Sequence, residues 1–153
     1  MPARPLLIYD GDCRFCRYSV NYARLAAGEA VDFAPFQAVG QDHPQLSIED
    51  FRESIRLVRE NQPTVSGAEA AFTTLALGGH QPIWLRLYAS LPWFAAFAER
   101  LYAWVSRHRD LSMMVSTFLF GETLEPRQMT RTVSWFLTAL GLIYLVAFAS
   151  LAT

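Results

Sequence analysis

LLIYDGDCRFC, residues 6 to 16, is the stretch from which the rest of the chain is read. Leu6, Leu7, Ile8 and Tyr9 form an apolar run of the length expected of a buried strand. Asp10-Gly11 is a turn signal, and Asp12 is of a type that caps a helix N-terminus. Cys13 then falls in the first helical turn, with Cys16 three residues later. Unpaired N–H groups and the helix dipole favour an anion at that place. A thiolate is such an anion.

Outward from this stretch, Phe15, Tyr18, Tyr22 and Leu25 recur at helical spacing beside a stripe of Arg14, Arg17, Asn21 and Arg24, and Gly28 suits the stop. Val31 to Phe36 predicts a second strand, Gln37 to Gln45 a loop, and Ser47-Ile48-Glu49-Asp50 a capping box opening a helix to Glu53. Ile55, Leu57 and Val58 predict a third strand. Asn61-Gln62-Pro63 then turns the chain towards a short fourth at Thr64-Val65. Helices are expected over 67–77, 82–91, 93–108 and 111–120, the second and third separated at Pro92. A strand, helix and strand followed by a hairpin and a helix is the thioredoxin-like order. Its parallel first pair needs a crossover helix.

The chain has 153 residues and a net charge of -1, which predicts one core and excludes a bulk electrostatic case for nucleic acid. Its 2 cysteines both lie in one CxxC, so neither a disulfide framework nor a zinc ribbon with a second pair is expected. His43, His80 and His108 are scattered without ligand spacing, so no metal site is expected, and no cofactor motif is present. Hydrophobic residues make up 52% and aromatic ones 14%, a composition that predicts contact with lipid or a partner.

YDGDCxxC resembles the signature of the DCC family, thiol-disulfide oxidoreductases of thioredoxin-like fold named for this Asp and the two Cys. Further matches follow in order: Gly67 and Ala70 opening a helix, Trp84, Tyr102 and the cluster Arg107-His108-Arg109. The resemblance covers roughly residues 5 to 121 and implies dithiol chemistry. One departure from thioredoxins concerns the cis-proline that faces their dithiol, since the matching position here is Ser54.

Thiol-disulfide exchange needs a thiolate that attacks and a second thiol that resolves the mixed disulfide. Cys13, at the helix start, is read as the attacking residue and Cys16 as the resolving one. Arg14, Arg17 and the helix terminus favour the Cys13 thiolate, whereas the carboxylates of Asp10 and Asp12 oppose it, with the former expected to win modestly. Turn and capping duty is the expected role of Asp10 and Asp12; a proton-accepting role for Asp10 is the alternative. Arg107 and Arg109 are expected to form a solvated helix end complementing its own dipole.

From Thr132 to Thr153 there is no charged side chain, and a helix of that length matches the hydrocarbon thickness of a bilayer. The expected organisation is therefore an α/β thioredoxin-like domain with a helical extension over 1–121, a linker over 122–131 and a transmembrane helix over 132–153. Arg127 and Arg131 on the N-terminal side of the span put the domain in the cytoplasm, where the dithiol would rest reduced. The expected partners are a protein or small-molecule thiol or disulfide, the membrane and a membrane protein, with no nucleic acid. A second reading makes the domain an accessory binding subunit of a membrane protein, its CxxC structural or redox-sensing.

Overall fold

The structure is a computed structural model that describes residues 4–44, 46–79 and 82–121, together with 138 and 140. Strand β1 (Leu6–Tyr9) leads through the tight turn into α1 (Arg14–Ala27), which returns the chain to β2 (Asp32–Pro35). Short helices α2 (Phe36–Val39) and α3 (Ile48–Glu53) precede the hairpin of β3 (Arg56–Arg59) and β4 (Gln62–Ser66). Four helices follow: α4 (Gly67–Leu77), α5 (Pro82–Ser90), α6 (Pro92–Arg107) and α7 (Arg109–Phe120).

The four strands lie in the order β2-β1-β3-β4. β1 runs parallel to β2 with Leu6 opposite Asp32 and Tyr9 opposite Pro35, and antiparallel to β3 with Leu7 opposite Leu57. This mixed α/β sheet fits a thioredoxin-like fold. Strand alternation sends Leu7 and Tyr9 to one face and Ile8 to the other. Leu7 and Tyr9 meet Leu57 and Val65 of the hairpin, Val20 and Ala27 of α1, and Ala70 of α4 in one core. Fully burying a side chain such as Leu7 or Leu57 stabilises by about 1.5–3 kcal/mol. Where α1 and α4 end they abut so closely that a Cβ on Gly78 would run into the carbonyl oxygen of Ala26 and the Cα of Ala27.

Local signals account for most element boundaries. Ser47 and Asp50 form the expected capping box: the Asp50 N–H donates to Ser47 Oγ at 3.1 Å, and the Ser47 N–H donates to Asp50 Oδ2 at 2.9 Å. These Ser47 bonds, ahead of Arg56, hold the Asp50 carboxyl below its ordinary value.

Other expectations are corrected. Asp12 does not cap α1; Cys13 does, and the helix begins at Arg14. The expected loop after β2 contains α2, because Phe36 is held against Phe51 of α3 by ring stacking at 5.5 Å. Pro63 lies inside β4, on the sheet edge where its missing N–H costs no ladder bond. No helix among the described residues is long and apolar enough to cross a membrane. The expected linker at 122–131 and span at 132–153 fall outside the described residues, apart from 138 and 140.

Helix α6 has two apolar faces. Ala98 is buried towards the core, while Trp93, Phe97, Leu101 and Trp104 repeat at helical spacing on an exposed stripe. On α7, Met114, Phe118 and Leu119 are exposed as well.

Candidate active site

Cys13 and Cys16 stand at the N-terminus of α1, their Cα atoms 5.2 Å apart and their sulfurs joined as a disulfide. Cys13 has the extended backbone of an N-cap, and its Sγ accepts the Cys16 N–H at 3.1 Å. A sulfur thus does the work that an Asp or Ser oxygen does at most helix starts. The same N–H would stabilise a thiolate at Cys13 once the disulfide opens. Both cysteines are half-buried, but they face different spaces. Cys13 lines an open groove of about 680 Å³ with Asp12, Arg14, Phe15, Met113 and Met114. Cys16 lines a second, mainly apolar pocket of about 290 Å³ between α1, α4 and α6, which shares Asp10, Phe15 and Arg109 with that groove.

The loop ahead of the cysteines is fixed from three directions. Asp10 Oδ1 accepts the Asp12 N–H at 3.0 Å and the Gln37 Nε2–H at 3.0 Å. Gln37 also donates to Asp12 Oδ2 at 3.1 Å and accepts the Gly11 N–H through Oε1 at 3.0 Å. Arg17 donates to the Gly11 carbonyl at 3.2 Å. On the far side Arg109 Nη1 reaches Asp10 Oδ2 at 3.4 Å, and this pair is largely buried, with 26% and 14% of the side chains exposed. Arg109 also donates to the carbonyl of Arg52 at the end of α3, and through Nε to that of Ser106 at 3.0 Å.

The sequence-derived candidates therefore divide. Cys13, Cys16, Asp10 and Asp12 come together as expected, with both aspartates committed to the loop rather than to a helix cap. Arg14 is exposed in the groove beside Cys13, and Arg17 spends its guanidinium on the loop backbone. Arg109, expected as part of a solvated helix end, is instead the cation that closes the loop from α7. Gln37 was missed because a lone amide in a polar stretch carries no local signature. Tyr102 reaches the position beside Ser54, its hydroxyl oxygen accepting the Ile55 N–H at 3.1 Å. Burial pushes the Tyr102 phenol up, so it stays a neutral donor. No peptide bond among the described residues is cis, the one before Ile55 included. Among the described residues no group of three or more His, Cys, Asp or Glu side chains converges as a metal site would.

Replacing Gln37 with leucine removes the clamp while keeping the side-chain size. The expected result is a loss of about 1 kcal/mol, measured by urea unfolding, and exchange slowed by about tenfold through a displaced Cys13. Unchanged exchange in a folded variant would show that Asp10, Arg17 and Arg109 suffice to place the loop.

The model of the DCC1-like thiol-disulfide oxidoreductase family matches residues 7–114, a span that runs from β1 into α7 and includes both cysteines. No curated protein and no solved structure matches the chain.

Proposed function

The chain belongs to the DCC1-like thiol-disulfide oxidoreductase family, and from that premise we propose that it is a membrane-tethered enzyme of dithiol/disulfide exchange in which Cys13 attacks and Cys16 resolves. The observation that carries this reading is the placement of the two sulfurs: joined to each other, Cys13 on an open groove and Cys16 against an interior cavity. A thiolate at Cys13 attacks one sulfur of a substrate disulfide, and the other substrate sulfur leaves. The Cys16 thiolate then attacks Cys13, forming the internal disulfide and releasing the second substrate thiol. Asp10, Gln37 and Arg109 position the loop, Asp12 and Arg17 complete its bonding, and Arg14 supplies positive charge at the groove.

The tether is the charge-free stretch 132–153, joined by the linker 122–131 to a redox domain that occupies 1–121. Support comes from its length and composition and from the exposed stripe of Trp93, Phe97 and Trp104, residue types suited to a bilayer interface. Arg127 and Arg131 favour a cytoplasmic domain, whose dithiol would rest reduced and serve as a reductant. The same exposed stripe favours a second reading, an accessory subunit docked on a membrane protein with a structural or sensing CxxC. Retained function and partner capture by a Cys13→Ser/Cys16→Ser double variant would select that reading.

The direct test is titration of the dithiol against glutathione buffers, read by alkylation of free thiols. A midpoint near about −270 mV fits a reductant, and one towards about −120 mV an oxidant. A pair that stays wholly oxidised or wholly reduced across that range would exclude exchange with cellular thiols.

A further inference from the structure

The cavity behind Cys16 has no role in exchange at the outer groove. Phe15, Val20, Phe51, Ile55, Leu75 and Val105 make its wall apolar, and Ser54, Tyr102, Ser106 and Arg109 gather polar atoms on it. Protein interiors seldom keep voids larger than a water, and an apolar one stays dry and takes apolar molecules. At about 290 Å³, it lies at the lower edge of small-molecule sites, about 300–1,000 Å³. That suits one substituted ring and excludes a folded peptide.

Tyr102 narrows the ligand chemistry. Its hydroxyl oxygen already accepts the Ile55 N–H, and its own O–H has no acceptor among the described residues. Ser106, by contrast, spends its hydroxyl on the Glu53 carbonyl at 2.6 Å. A ligand oxygen that accepts a hydrogen bond would complete the bonding of Tyr102, which lines both this pocket and a polar one beside it. A molecule seated here also lies against Cys16, a residue that carries electrons. We infer that the cavity binds the ring of a lipophilic quinone, which takes the electrons of the Cys13–Cys16 dithiol.

This inference rests on the exchange reading above and gives the same dithiol a second electron acceptor beside the substrate disulfide. The Cys16 thiolate adds to a ring carbon. The Cys13 thiolate then attacks the Cys16 sulfur, the S–S bond forms as the S–C bond breaks, and the electron pair stays on the ring. The two protons given up by the thiols end on the ring oxygens, so dithiol becomes disulfide and quinone becomes hydroquinone. Substrate disulfide and quinone thus reach the cysteine pair through two pockets that meet at Asp10, Phe15 and Arg109, and a lipid-soluble acceptor suits a chain with a charge-free C-terminal stretch.

The test uses the full chain, reduced and freed of reductant under anaerobic conditions, mixed with decylubiquinone, whose fully substituted ring has no hydrogen to lose after thiol addition, so the adduct stays reversible and no stable thioether accumulates. The expected result is one hydroquinone per dithiol, seen in the quinone absorbance, with matching loss of alkylatable thiol. Ala71→Phe from α4 and Val105→Trp from α6 plug the cavity from two helices. Each is expected to slow quinone reduction by about tenfold or more while exchange with oxidised glutathione continues. Wild-type reduction no faster than that of the Cys13→Ser/Cys16→Ser variant overturns the inference, and so does a folded plug variant that keeps the wild-type rate. Glutathione exchange without quinone reduction rejects the cavity assignment alone. Quinone reduction without glutathione exchange upholds it and rejects the outer-groove reading.

Discussion

Cys16→Ser protein is expected to accumulate a mixed disulfide through Cys13, and Cys13→Ser protein little or none. The asymmetry follows from where the two sulfurs sit. Cys13 opens onto the groove beside Met113 and Met114, which gives a substrate sulfur a route to it. Cys16 lines the apolar pocket between α1, α4 and α6, and its backbone N–H is directed at Cys13 Sγ at 3.1 Å, where it would stabilise a thiolate at Cys13. Without Cys16 nothing inside the protein attacks the adduct, so it persists until external thiol releases it. If Cys13 supplies the attacking atom, its loss is expected to lower turnover by at least roughly a thousandfold, as for other covalent nucleophiles. The measurement is the mass of each single variant after incubation with oxidised glutathione, before and after reduction, with rates followed by quenching. Equal rates of adduct formation at the two positions would remove the assigned order of attack.

The extent to which this site was legible in the sequence divides by distance along the chain. β1, the turn and the start of α1 are contiguous, and their signals are local: an apolar run, Asp-Gly, then CxxC at the spacing of one helical turn. Helix and strand positions in the rest of the domain follow from periodicity and from Gly, Pro and Ser punctuation, within a few residues of the observed bounds. The residue that caps α1 was misassigned because Asp12 and Cys13 are adjacent and the oxygen is the commoner cap. Arg109 and Asp10 are 99 residues apart, and no local pattern marks a cation that will fold back onto a turn. Gln37 is 27 residues from Asp10, in a stretch whose polar composition reads as loop. On α6, spacing alone reads Phe97 and Leu101 as core residues, whereas both are exposed.

Gly67→Ala is expected to cost about 3 kcal/mol, the sum of a backbone and a packing effect. Gly67 begins α4 with φ +60°, and a Cβ there would stand 2.5 Å from Glu99 Oε2. Left-handed backbone costs an ordinary residue about 1–2 kcal/mol. The packing effect arises because α4 lacks a side-chain cap from Ser66 and is capped from α6 instead. Glu99 accepts the N–H groups of Ala68 at 3.4 Å and Glu69 at 3.1 Å. Tyr88 donates to the same carboxylate at 2.9 Å, its phenol pushed up to about 12 by burial and then by Glu99, and so kept protonated. Displacing Glu99 strands these donors, at about 1–3 kcal/mol. The two effects separate in a double-mutant cycle: in a Glu99→Ala background, Gly67→Ala should cost only the backbone part. Gly79, with φ +75° and open space where a Cβ would sit, is the control that carries the backbone part alone. Urea unfolding of the four proteins of the cycle decides it. An equal cost of Gly67→Ala with and without the Glu99 carboxylate would mean that α6 does not cap α4, and that the glycine is required by its backbone conformation only.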